Sequence, residues 1–314
     1  MKSLNNVKGS AILCTAALIW GLAFVAQSDA ADVVPPFIFN ALRSFIGAGF
    51  LFLLLLGRRL ITKKPMLPTT RKGRRETLIG GISCGVLLAI SINLQQFGLA
   101  DYPSDIAGAA RAGFLTALYV ILVPILSIFS GKRLRLPIVL AVLIAMGGIY
   151  LLSFSGGAAG IYAGDVMMLL CAVSFSFHIL AVDRFVEPVG GILLSMLQFF
   201  VCGIISLLLA VSLESITLTA IWQAAPQILY LGIMSSGIAY TLQIVGQRYA
   251  EPAVASLSMS LESVFAALGG WLIAGNTLSL KEICGCSLVF LAIVLAQLPQ
   301  FMVNQKRKKA KKVS

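Results

Sequence analysis

Residues 252–274 read PAVASLSMSLESVFAALGGWLIA. The only charge in the run is Glu262, and it lies close to the middle. At 1.5 Å of rise per residue, a helix of this length crosses the hydrocarbon core of a bilayer, which takes about 20 apolar residues. A carboxylate at that depth costs roughly 3 kcal/mol even on the most lenient scales unless it faces other helices, water or a partner. The helix must therefore belong to a bundle, with Glu262 turned inward. The spacing agrees, since Ala255, Ser258, Glu262, Ala266 and Gly269 fall on one small, polar stripe at helical intervals, the kind of surface along which membrane helices meet.

The whole chain follows the same pattern. Its 314 residues are 59% hydrophobic and 11% charged, with a mean hydropathy of +0.96. A water-soluble domain is nearer one quarter charged. Apolar runs suited to crossing a bilayer occur at about 8–28, 35–57, 77–99, 104–130, 136–155, 162–183, 188–213, 225–246, 252–274 and 281–303. They leave no room for a separate soluble domain. Backbone groups in lipid must be paired internally, and alternating strand patterns are absent, so the expectation is an all-α integral membrane protein with ten transmembrane helices.

A net charge of +12 first suggests nucleic acid, but its placement excludes that reading. All Lys and Arg except Lys281, Arg43 and Arg111 fall in alternate connections or at the ends of the chain. The segment 57–76 (GRRLITKKPMLPTTRKGRRE), the loop with Lys132, Arg133 and Arg135, and the tail KRKKAKK at 306–312 hold most of them. The opposite loops carry acids such as Asp29, Asp32, Asp101 and Asp105. Such a bias places both termini in the cytoplasm. The start resembles a signal peptide with SDA at 28–30 as a weak cleavage site, yet the repeat described next argues that these residues are retained. The six cysteines all lie inside expected spans with no CxxC or metal spacing, so neither a disulfide framework nor a metal centre is expected.

The second half repeats the first. Residues 9–56 align with 164–211 at an offset of 155, so that Gly9 meets Gly164 and Arg43 meets Gln198. Gln96 meets Gln243 and Tyr102 meets Tyr249 at 147, and GKRL at 131–134 meets GNTL at 275–278. An odd number of helices per unit makes the second unit enter the membrane from the opposite face. Two inverted five-helix repeats are the architecture of alternating-access carriers with a site near the midplane.

The stretches GSAILCTAALIWGLAF, AGFLTALYVILVPILSIFSGKRL, GDVMMLLCAVSFSFHILAVDRF and SLESVFAALGGWLIAGNTLS resemble the EamA-type branch of the drug/metabolite transporter superfamily. The resemblance covers nearly the whole chain, as two five-helix units at about 9–153 and 164–298 followed by a basic cytoplasmic tail, 304–314. It implies a central cavity opening alternately to each side, and efflux of small metabolites or amino acids across the cell inner membrane. Two positions depart from the family pattern. Ser263 stands where a proline usually follows the glutamate, which bears on local helix geometry, and Asn276 stands where Gly-Glu often closes the span.

Several residues are candidates for substrate binding or coupling. Glu262 suits a proton or an ammonium group, or else a structural pairing with Arg111 or Arg43. Arg111 suits a substrate carboxylate taken bidentately, or an ion pair between bundles. Arg43 reads better as a helix-end or inter-helix hydrogen bond. His178, the only histidine, suits proton coupling or a hydrogen bond to a neighbouring carbonyl or hydroxyl. Trp20, Asn40, Asn93, Gln96, Tyr119, Gln198, Tyr240 and Gln243 form the uncharged polar set of the spans, some lining a cavity and others holding helices together. Gly81-x-x-x-Gly85 and Ala109-x-x-x-Gly113 are packing motifs, and Pro124 is a kink site.

No catalytic residue, cofactor site or nucleotide loop appears, so an enzyme or a lone ATP-driven pump is not expected. Glu262 and His178 are the only pair an intramembrane enzyme could use. A channel or a membrane scaffold remains as an alternative to a carrier. Expected partners are a small-molecule substrate, the lipid bilayer and anionic lipid at the basic tail; a homodimer is compatible with them.

Overall fold

The structure, a computed structural model, describes residues 5–63, 65–102, 112–113, 115–129, 131, 136–153, 162–273, 280–281 and 283–296. Regular structure among them is helical throughout, with no strand. The first three helices are α1 (Asn5–Ala31), α2 (Pro36–Thr62) and α3 (Arg71–Asp101). After them come α4 (Tyr119–Phe129), α5 (Leu136–Ser153), α6 (Ala163–Val189) and α7 (Gly191–Leu213). The short α8 (Leu218–Gln223) leads into a continuous run, Ala225–Gln247, made of α9 (Ala225–Tyr230), a π-helical segment (Leu231–Ala239) and α10 (Tyr240–Gln247). Next are α11 (Pro252–Met259), α12 (Leu261–Ile273) and α13 (Ile283–Ala296).

Among the described residues, six stretches are long and apolar enough to cross a bilayer: Val7–Phe24 in α1, then α2, α3, α6, α7 and Ala225–Gln247. Shorter apolar helices stand at the expected fourth, fifth, ninth and tenth spans, and much of the fourth, 104–130, lies outside the described residues. The outer surface fits a lipid environment. Leu53, Leu208, Val211 and Phe290 are each more than 60% exposed, as large side chains can be in hydrocarbon but are rarely found together in water.

Local chemistry sets the helix ends. A helix begins with backbone N–H groups that lack intrahelical acceptors. At α2 the side chain of Glu214, just past α7, accepts from Phe37 and Ile38 N–H at 2.7 and 2.8 Å. At α3 the Thr70 hydroxyl accepts from Gly73 N–H at 3.1 Å. At α6 the carboxylate of Asp101 accepts from Gly164 N–H at 2.7 Å.

Most helix packing joins the two halves of the chain. α1 lies against the Ala225–Gln247 run, α11 and α12, whereas α6 lies against α3 and α4; α2 and α7 lie against each other. Small residues permit the close approaches. A Cβ on Gly81 or Gly85 would sit 2.8 Å from Leu197 Cβ or 2.6 Å from Val201 Cβ on α7, so the Gly81-x-x-x-Gly85 motif is a packing surface. Gly9 sits against Gly246 and Ala250, and Gly164 against Gly98 and Tyr102, in matching fashion.

Candidate functional site

Between the helices lies a narrow cavity lined by polar and aromatic side chains. α1 brings Trp20, Phe24 and Gln27 to it, α2 brings Arg43, and α3 brings Gln95. Thr116 and Tyr119 enter from the fourth apolar stretch, Phe175 and Ile179 from α6. Ser235, Tyr240 and Gln243 reach it from the eighth, and Met259 and Glu262 from α11 and α12. Both halves of the chain therefore contribute to one wall-to-wall site.

Glu262 is 6% exposed. Its Oε1 accepts from the Tyr119 hydroxyl at 2.9 Å, its one bond to a described residue. Arg43 is 3% exposed. Its Nη1 donates to Gln27 Oε1 at 3.0 Å, its Nε has no partner among the described residues, and its guanidinium lies over Phe39, 5.6 Å from the ring centroid. An arginine stays ionised under any ordinary condition. The cavity thus holds a cation and a carboxyl group that bond to neutral neighbours and not to each other. The inter-helix hydrogen bond expected of Arg43 is present, and Arg43 also faces the cavity.

Tyr240 is the centre of the aromatic wall. Trp20 meets it edge-on at 4.8 Å, Phe199 at 5.1 Å and His178 at 6.4 Å, arrangements that rings favour through their quadrupoles. The indole Nε1 of Trp20 and the Oε1 of Gln243 have no hydrogen-bond partner among the described residues. Buried polar atoms are paired in the great majority of cases, so unpaired ones around a cavity mark groups available to a ligand.

Local backbone irregularity accompanies these side chains. The ninth apolar run breaks at Ser260, between α11 and α12, and Ser263 N–H bonds back only three residues, to Ser260 O at 3.3 Å. The buried Ser263 hydroxyl has no partner among the described residues. With Ser263 in place of a proline the run is still interrupted, two residues before the carboxylate. In the fourth stretch, turn bonds from Val120 to Ala117 and Ile121 to Leu118 precede Pro124. The π segment carries Ser235 to the cavity and packs on α2, where a Cβ on Gly232 would lie 2.6 Å from Ile46. Irregular turns of this kind are frequent at functional sites because they re-aim side chains.

Among the expected candidates, Glu262, Tyr119, Trp20, Tyr240 and Gln243 come together here. His178 stands behind the wall, its Nε2 3.0 Å from Gln198 Oε1, a pairing that requires Nε2 to carry the proton. Asn93 is committed elsewhere: it accepts from Asn40 Nδ2 at 2.8 Å and donates to Ala89 O and Ser206 Oγ. Gln96 donates to Gln27 O at 3.2 Å and so braces α1. Arg111 lies outside the described residues. Gln27, Gln95, Thr116 and Ser235 were not among the expected candidates. For Thr116 a signal existed, since it precedes Tyr119 by three residues and so shares its helix face.

The model of the EamA-like transporter family matches residues 7–154 and again residues 162–298. The chain belongs to this family. Relatives of this EamA-family protein include an uncharacterized transporter of Archaeoglobus fulgidus, 29% identical over 91% of this chain and 84% of the relative. An uncharacterized inner membrane transporter, YedA, of Escherichia coli K12 is 26% identical over 92% and 90%. An uncharacterized transporter of Bacillus subtilis, YoaV, is 23% identical over 88% and 92%. A solved crystal structure with 22% sequence identity superposes over 95% of this chain and 99% of its own, with a TM-score of 0.76, and so shares the fold. The EamA-family chain is a multi-pass membrane protein of a transporter family.

Proposed function

We propose that this protein is a secondary transporter working by alternating access, exporting small metabolites or amino acids from a bacterial cell. The observation that carries the reading is the cavity with Arg43 and Glu262 facing it and unpaired with each other. Two opposite charges at membrane depth are costly to maintain. A ligand with an anionic and a cationic end, lying between them along the aromatic wall, would recover that cost. Glu262 would take an ammonium group or a proton, with Tyr119 releasing it, and Arg43 a carboxylate.

The architecture proposed for this cycle is ten transmembrane helices in two inverted repeats, 9–153 and 164–298, with both termini and the basic tail 304–314 in the cytoplasm. The reciprocal packing supports it. α1 meets the eighth and ninth apolar stretches as α6 meets the third and fourth, and the Gly9–Gly246 contact is echoed by Gly164–Gly98. Inverted repeats of this kind rock about a central site.

Flux into proteoliposomes holding the purified full-length chain tests the proposal, with a panel of amino acids, amines and nucleotide precursors. Saturable uptake that is accelerated by substrate on the far side is the expected result. Flux without saturation would make the protein a channel. No flux for any compound would favour a non-transporting scaffold.

A further inference from the structure

A second site lies at the end of the bundle where α2 finishes and α3 begins. The chain turns there through Lys63, whose φ of 55° is left-handed, and the loop carrying Pro65, Met66, Leu67 and Pro68 folds back over the helix ends. Beneath it runs a groove lined by Arg58, Arg59, Arg74 and Arg248. No acidic side chain lines it among the described residues. Arg74 is used to fix the loop, donating to the carbonyls of Pro68 and Thr69 at 3.3 and 3.4 Å. The side chains of Arg58, Arg59 and Arg248 make no hydrogen bond or ion pair with another described residue.

The walls of this groove are apolar. Leu55, Leu193 and Leu197 form its floor, and it continues down the seam between α2 and α7 to Phe52, which is 46% exposed on the outer flank. A cationic head and an apolar channel opening sideways towards lipid match a molecule with a phosphate at one end and acyl chains at the other. A soluble anion would need only the first part, and a neutral lipid only the second.

We propose that this groove binds the headgroup of an anionic phospholipid, with Arg59 and Arg248 as its principal phosphate contacts and an acyl chain lying along Phe52 and Leu197. This site shares no lining residue with the transport cavity, and it does not depend on the transported substrate. Basic pockets between membrane helices hold acidic headgroups by this combination of charge and burial.

Native mass spectrometry of the full-length chain in detergent, with phosphatidylglycerol or phosphatidylcholine added, tests it. Phosphatidylglycerol should remain bound and raise the thermal midpoint, and phosphatidylcholine should do neither. Arg59→Gln with Arg248→Gln should weaken phosphatidylglycerol binding by about tenfold or more, and Arg59→Lys with Arg248→Lys should keep most of it. Replacing the basic residues of 306–312 by Gln should leave it unchanged. Equal retention of the two lipids, loss of binding on neutralising the tail alone, or equal protection by inorganic phosphate would each overturn the proposal. Should the Gln variant fail to fold, the wild-type chain still decides: binding that does not fall with added salt overturns it.

Discussion

Glu262 and Asn93 are both polar residues buried in a membrane protein, and their neighbours give them opposite roles. Asn93 spends its amide on Asn40, Ala89 and Ser206, so Asn93→Leu leaves buried partners unsatisfied. It should cost about 1–3 kcal/mol, seen as a lower thermal midpoint, while KM for folded protein stays the same. Glu262 has one partner among the described residues, and it faces a cavity. Glu262→Gln should keep the fold, cut transport at least tenfold and flatten the pH dependence of flux. Normal flux with an unaltered pH profile would remove Glu262 from the site. The depth of Glu262 and its need for an inward face were legible in residues 252–274. Its bond to Tyr119, 143 positions away, was not, because tertiary partners leave no periodic trace in a sequence. The sequence around Arg43 points only to a helix-end or inter-helix hydrogen bond for the same reason: nothing in NALRSF shows that the guanidinium meets Gln27 on one side and a cavity on the other.

Helix positions were readable from hydropathy, since lipid demands long apolar runs and closed backbone bonding. Interruptions within them were less so. The break at Ser260 and the π segment Leu231–Ala239 involve no proline, so no residue type in the sequence marks them. Two predictions belong to elements. Glu214 caps α2 from the end of α7, so Glu214→Ala should destabilise by about 1 kcal/mol in thermal denaturation, with no change in substrate affinity. Gly85→Val brings a side chain against Val201 and Gln198 O. Overpacking of that kind costs roughly 1–3 kcal/mol, and Val201→Ala in the same chain should restore part of the loss in midpoint.

At the scale of the molecule, charge placement predicts orientation. In a cysteine-free background, a cysteine at Lys63 should react with an impermeant reagent only from the cytoplasmic side, and one at Thr217 only from the outside. The reverse pattern would overturn the topology. The interlocking of the two halves has a further consequence, for synthesis. α1 is made well before most of its packing partners, which lie in residues 225–273, roughly 200 positions later. At about 5–20 residues per second, it waits on the order of 10–40 s in the membrane before they emerge. α2 and α3 likewise wait for α7 and α6. The nascent first half is therefore a set of inserted helices that lack most of their packing partners, with Arg43 bonded to Gln27 of α1, until the second half arrives. Half-length chains expressed alone should be degraded quickly, and the two halves expressed together should protect each other.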